Sequence, residues 1–271
     1  MGLLQMANVP YVGCGMSASA VAMDKVLAKQ VAEAAGVESN PWIWFYTRDL
    51  ARHHRQVMNN ISNLKYPLFV KPAHLGSSIA ISKVEKESEL TNALEVAAHY
   101  DDKVVVEESV NNLIEVTLPV MGNDEPVPAL LEKPAYKPGD YFDWDTKYMQ
   151  GGKKGKMGNG DVVKGAQGYS QIPAKLPPDL YKKAEQLALS VYRAIGCSGI
   201  ARVDLLIDSK TEKVYFNEVN PLPGSLYAHN WKAAGVSNVE LVTKLVNYAQ
   251  ERWDAQQKIA TSFSTNFLKQ F

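Results

Sequence analysis

Arg202, Asp204, Glu218 and Asn220 are the residues of this 271-residue chain whose types and spacing point most directly to chemistry. Residues 200–207 (IARVDLLI) and 214–219 (VYFNEV) are rich in β-formers, and the polar run 208–213 (DSKTEK) between them suits a hairpin connection. Strand side chains alternate faces, so Arg202 shares a face with Asp204, and Glu218 with Asn220; pairing the strands would bring the two faces together. Carboxylate and amide oxygens beside a guanidinium suit Mg²⁺, a hard cation that keeps several waters and completes its shell with substrate phosphates. On this motif alone, the same residues read also as the solvated face of an ordinary hairpin. Leu205, Ile207, Val214 and Phe216 weigh against that, because they predict a partly buried strand pair in which unpaired carboxylates are costly.

A second candidate lies at 68–82 (LFVKPAHLGSSIAIS): a strand ending in Lys71, a turn opened by Pro72, the small-residue loop Gly76-Ser77-Ser78, then a second strand over 79–82. Small residues let backbone N–H groups approach phosphate oxygens, and Lys71 adds a point charge. Taken alone, a Gly-Ser turn after a strand lysine reads equally as a plain hairpin.

The elements that must position these groups follow from periodicity and caps. Residues 17–35 predict one alanine-rich helix, capped by Ser17 or Ser19 and stopped by Gly36, with Lys25 and Lys29 one turn apart. Strands are expected at 68–71 and 103–106, further strands at 113–121 and 127–131, and a helix between Glu87 and His99. An amphipathic helix is expected over 178–195 and a last helix over roughly 238–257. The stretch 149–168 holds seven glycines and four lysines and predicts a mobile loop, either a functional lid or a surface insert.

Composition bounds the partners. Lys plus Arg and Asp plus Glu are each 29, so the formal charge is zero and no broad basic surface is predicted for nucleic acid. No run reaches the ~18 apolar residues of a membrane span, and the amino terminus lacks a signal-peptide pattern, which predicts a cytoplasmic location without membrane association. Cys14 and Cys197 lack metal-ligand spacing and read as small apolar fillers.

The ordered set Met23-Asp24-Lys25, Val70-Lys71-Pro72, Gly76-Ser77-Ser78, Glu107-Glu108, Arg202-Val203-Asp204 and Asn217-Glu218-Val219-Asn220 resembles the D-alanine–D-alanine ligase family of the ATP-grasp superfamily. The resemblance runs from about Val9 to Ala249 and includes Asp143 through Tyr148 and Leu222-Pro223-Gly224. It implies an α+β, ATP-grasp fold in which two α+β lobes clamp nucleotide between antiparallel sheets, with a central lobe at 17–106 and a carboxy-terminal lobe at 107–271. Residues 1–16 read as the remnant of an amino-terminal domain. The implied activity is ATP-dependent joining of two D-alanines through an acyl phosphate, for peptidoglycan precursor synthesis. By the same resemblance, Lys25 and Lys71 contact nucleotide phosphates, and Ser77 and Ser78 lie in the loop covering them. Glu107, Glu108 and Val110 belong to the hinge that reads adenine, and Glu115 holds the ribose. Asp204, Glu218 and Asn220 bind two Mg²⁺ ions, with Mn²⁺ as a substitute, while Lys147 and Tyr148 come from the lid. Arg202 and the backbone N–H of Gly224 stabilise the oxyanion, and Ser225 helps hold the second substrate's carboxylate.

Two departures from the family pattern matter. The family's leading domain has no counterpart before Leu3, which predicts an incomplete ligase with apolar surface exposed around Val9, Tyr11 and Val12. Ser225-Leu226-Tyr227 follows Gly224 at once, where the family has intervening residues. The alternatives are therefore a ligase for other small amino acids, or a nucleotide-binding module inactive without a partner domain; the resemblance also allows a homodimer.

Overall fold

The computed structural model describes residues 1–134, 162–165 and 168–260. Helices α1 (Gly2–Met6), α2 (Met16–Ala22) and α3 (Lys25–Ala34) lead into β1 (Trp42–Tyr46), α4 (Thr47–Arg52) and α5 (His54–Ile61). Strands β2 (Leu68–Pro72) and β3 (Ser82–Val84), helix α6 (Glu87–Tyr100) and β4 (Lys103–Glu108) complete a four-stranded antiparallel sheet of order β1-β4-β2-β3. Strands β5 (Leu113–Met121) and β6 (Val127–Pro128) belong to a second sheet, β7 (Lys133–Pro134), β8 (Val162–Gly165) and β9 (Gly168–Gln171) to a third. After α7 (Pro178–Ala194), strands β10 (Ile200–Asp208) and β11 (Lys213–Asn220) finish the second sheet in the order β11-β10-β5-β6. A short 3₁₀ turn at Gly224–Tyr227, α8 (Ala228–Ala233) and α9 (Asn238–Gln257) follow. No helix among the described residues is long and apolar enough to cross a membrane.

The apolar residues sort into two main cores. Val70, Val104 and Val106 of the first sheet pack against Leu90, Leu94 and Ala97 of α6 and Ile61 of α5. The larger core joins Leu118, Val203 and Phe216 of the second sheet to Ala184, Ala188 and Val191 of α7, and to Ala18, Ala28 and Ala32 of α2 and α3. Helix α3 also sends Val26 to a small cluster with Ala73 and Val105, so it touches both sheets.

Several expectations need correction. The helix expected over 17–35 is two, because Asp24 adopts an extended conformation and its carboxylate caps α3. The strand expected at 79–82 begins only at Ser82; Ser77, Ser78 and Ala80 have φ of 56°, 60° and 57°, incompatible with a ladder. Within the stretch expected as a mobile loop, Val162–Gly165 is a strand paired with β9; residues 149–161, 166 and 167 lie outside the described residues. Leu3, Met6 and Val9 are exposed, but Tyr11 and Val12 are half-buried. Arg252 of α9 stacks over the Tyr11 ring at 4.6 Å and donates to the Tyr11 carbonyl at 2.8 Å, while Trp253 donates to the Asn8 carbonyl. Helix α9, expected from the sequence, therefore anchors the first segment through contacts that the sequence did not signal.

Candidate active site

The hairpin register sets the carboxylate cluster. Arg202 lies opposite Asn220 and Asp204 opposite Glu218, and a bulge after Asp204 moves Leu205 opposite Phe216. Asn217 is the extra residue. The Asn220 amide nitrogen lies 3.2 Å from Asp204 Oδ2 and 3.5 Å from Glu218 Oε1, so the three side chains converge. Arg202 grips Asp204 with two hydrogen bonds, Nε to Oδ1 at 2.7 Å and a terminal nitrogen to Oδ2 at 2.6 Å, and Thr117 donates its hydroxyl to Oδ1. Burial pushes the Asp204 carboxyl up; Arg202 opposes this and the negative Glu218 adds to it. Two crowded carboxylates on buried strands, beside an amide that can turn its oxygen in place of its nitrogen, make a donor set that fits a hard divalent cation.

Helix α3 supplies the opposite wall. Asp24 accepts from the N–H groups of Val26 and Leu27 at 2.9 and 3.2 Å, and its other oxygen receives Lys103 Nζ at 2.5 Å. This cap places Lys25 first in the helix, where its ammonium donates to the Leu75 carbonyl beside the Gly-Ser turn. Burial lowers the Lys25 pKa, with Glu218 acting the other way.

Between the first and second sheets lies an open cleft. Lys25, Lys71, Ser78 and Glu218 line it, as do Glu107, Glu108, Val110 and Glu115. Phe69, Leu113 and Leu206 give it an apolar stretch suited to a flat ring. Ser77 is exposed beside the cleft and is not among its lining residues. Arg202, Asp204, Asn220, Gly224 and Ser225 are not among the residues lining this cleft, although Asp204 and Asn220 adjoin Glu218, which is; Gly224 and Ser225 are exposed. Lys147 and Tyr148 lie outside the described residues.

Two features escaped the sequence reading. Glu107 is ion-paired on one oxygen with Lys71 and on the other with Lys29 at 3.2 Å. Lys29 is fully buried, and its signal was its place among Val26, Ala28 and Ala32 on the apolar face of α3. Ser225, Leu226 and Tyr227 have φ of 52°, 51° and 53°, a left-handed turn of three non-glycine residues. Tyr227 is buried against the Arg202 guanidinium, 5.2 Å from its ring. No composition signal would have revealed this turn, since β-branched-free polar and apolar residues make it without glycine.

The family model described as "D-ala D-ala ligase C-terminus" matches residues 31–247. This chain belongs to the D-alanine–D-alanine ligase family. A D-alanine–D-alanine ligase of Acetivibrio thermocellus is 37% identical over 263 residues, which are 95% of this chain and 65% of the relative. One from Chlorobium phaeovibrioides is 38% identical over 256 residues, 92% of this chain and 66% of the relative. The chain thus spans about two thirds of the length of these curated relatives. Among solved structures, the D-alanine–D-alanine ligase of Coxiella burnetii superposes with a TM-score of 0.75 at 29% identity, over 95% of this chain and 65% of that one. The VanG D-Ala:D-Ser ligase of Enterococcus faecalis gives 0.75 at 31% identity, over 92% and 67%. The fold of this ligase-family chain is the α+β ATP-grasp fold, with its antiparallel sheets on either side of the cleft.

Proposed function

We propose that this chain carries the nucleotide- and metal-binding machinery of an ATP-dependent D-alanine–D-alanine ligase, which joins the carboxylate of one D-alanine to the amine of a second through an acyl phosphate. The observation that carries the reading is the facing of Lys25 and Lys71 across one cleft from Glu218 and its neighbours Asp204 and Asn220. A carboxylate attacking a triphosphate meets charge repulsion, which the two ammonium groups reduce while fixing the phosphates. Ser77 and Ser78 cover them, Glu107 through Val110 face the base, and Glu115 holds the ribose. Divalent cations held by Asp204, Glu218 and Asn220, Mg²⁺ or Mn²⁺, would supply charge neutralisation at the terminal phosphates. Arg202 and the Gly224 N–H receive the oxyanion formed when the second amine adds, Ser225 holds that substrate's carboxylate, and Lys147 with Tyr148 close the site.

The test is ATP-dependent phosphate and dipeptide release from D-alanine by the purified chain, alongside calorimetric titration with ATP and Mg²⁺. Phosphate released in step with D-alanyl-D-alanine is the expected result, and no nucleotide binding at all would overturn it. The same experiment separates two second readings. The likeness to a D-Ala:D-Ser ligase makes D-serine a second acceptor to include. A module that binds nucleotide but turns over only with a partner domain would be seen as binding without dipeptide.

A further inference from the structure

We propose that Lys29, which cannot touch a ligand, is a positioning residue that leaves the Lys71 ammonium available to the cleft by occupying the other half of Glu107. The inference rests on the nucleotide reading above. Lys71 and Glu107 line the cleft, whereas Lys29 sits behind them with 1% of its surface exposed. Glu107 lies between the two ammonium groups, one on each carboxylate oxygen. Lys29 is itself fixed: it donates to Asn40 Oδ1 at 3.2 Å, its ammonium lies 5.8 Å from the Trp42 ring centre, and Asn40 donates to the Glu108 carbonyl at 2.6 Å.

The consequence is one of charge count. Two lysines and one glutamate leave the buried cluster with a net positive charge directed at the cleft. Without Lys29 the remainder is a neutral Lys71–Glu107 pair, and a triphosphate would have to compete with a fully desolvated carboxylate for the only ammonium that β2 offers. In a site of low effective dielectric that competition is steep. Lys29 therefore acts on phosphate affinity through Glu107, at one remove from any ligand. A purely structural role, in which Lys29 only offsets the burial of Glu107, would weaken every ligand of the cleft alike.

The experiment compares ATP with adenosine, titrated calorimetrically into the 271-residue chain without amino-acid acceptors. Lys29→Met should weaken ATP on the order of 10- to 100-fold while leaving adenosine nearly unchanged. The double variant Lys29→Met/Glu107→Gln restores the net charge and should recover most of the preference for ATP over adenosine, a ratio in which any effect of Glu107 on the base cancels. Should Lys29→Met fail to fold, Glu107→Gln alone decides: the preference for ATP over adenosine should widen, because both lysines lose their counter-charge. An unchanged preference in these variants, with ATP still bound by the unaltered chain, would overturn the role of Lys29 alone. If the unaltered chain binds neither ligand, the nucleotide reading itself falls, and this inference with it.

Discussion

Arg202 illustrates how one residue serves two neighbours. Its guanidinium is bidentate on Asp204 and stacked by Tyr227, and although burial opposes its charge, Asp204 raises its pKa above the ordinary arginine value. The fork geometry is one that lysine cannot reproduce. On the proposed role as an oxyanion donor, Arg202→Ala should lower turnover by about 10²–10³, the usual cost of one such donor, while ATP affinity changes little. Asp204 also loses its partner, so half-maximal activity should require a different Mg²⁺ concentration. Steady-state kinetics with a Mg²⁺ titration checks both, and unchanged turnover would remove Arg202 from the chemistry.

At the scale of elements, the start of α3 is decisive because a single cap sets where Lys25 stands. Asp24 caps the helix, pairs with Lys103 and lies 3.3 Å from His74 Nε2. Asp24→Ala removes the cap and strands Lys103 in a buried position, together costing about 2–4 kcal/mol. Asp24→Asn keeps the cap and removes only the charge, so the difference in unfolding free energy between the two variants isolates the cap. Both should raise the KM for ATP, since the first turn of α3 carries Lys25. The left-handed turn at Ser225–Tyr227 shows a different logic: each non-glycine residue at positive φ costs roughly 1–3 kcal/mol, held only because Tyr227 is locked in the core beneath Arg202.

For the whole molecule, the Lys29–Glu107–Lys71 cluster matters to stability as well as to binding, because it lies where α3 meets the first sheet. Burial acts to raise the Glu107 carboxyl, but Lys29 and Lys71 outweigh it and hold the group at about 2, below its ordinary 4.5. A depressed carboxylate stabilises the fold fully above its unfolded pKa and ceases to do so as pH falls through the folded one. Stability should therefore fall between about pH 4.5 and 2, by about 3 kcal/mol if the whole shift is realised. Urea unfolding midpoints from pH 6 to pH 3 should decline steeply for the native chain and less for Glu107→Gln. An equally steep decline in the variant would show that other carboxylates govern acid stability.

The hairpin at 200–220, helices α6, α7 and α9 and strands β2, β4 and β5 were legible because local pattern and burial agree there: alternation in the strands, helical spacing in the helices, turn residues between them. Side-chain alternation alone brought Arg202, Asp204, Glu218 and Asn220 to one place. Residues 37–66, which hold β1, α4 and α5, offered no such agreement, and the break at Asp24 was hidden by alanine-rich propensity on both sides of it. What the sequence by itself determined was the family and the kind of chemistry to expect, since residue types and order are enough to propose a phosphate and metal site. What only the tertiary structure decided was which charges meet. The pairing of Glu107 with Lys29 and Lys71 links α3, β2 and β4, and the anchoring of residues 8–13 by Arg252 and Trp253 spans almost the whole chain. Such contacts arise from burial in a shared interior, where no local periodicity carries their signal.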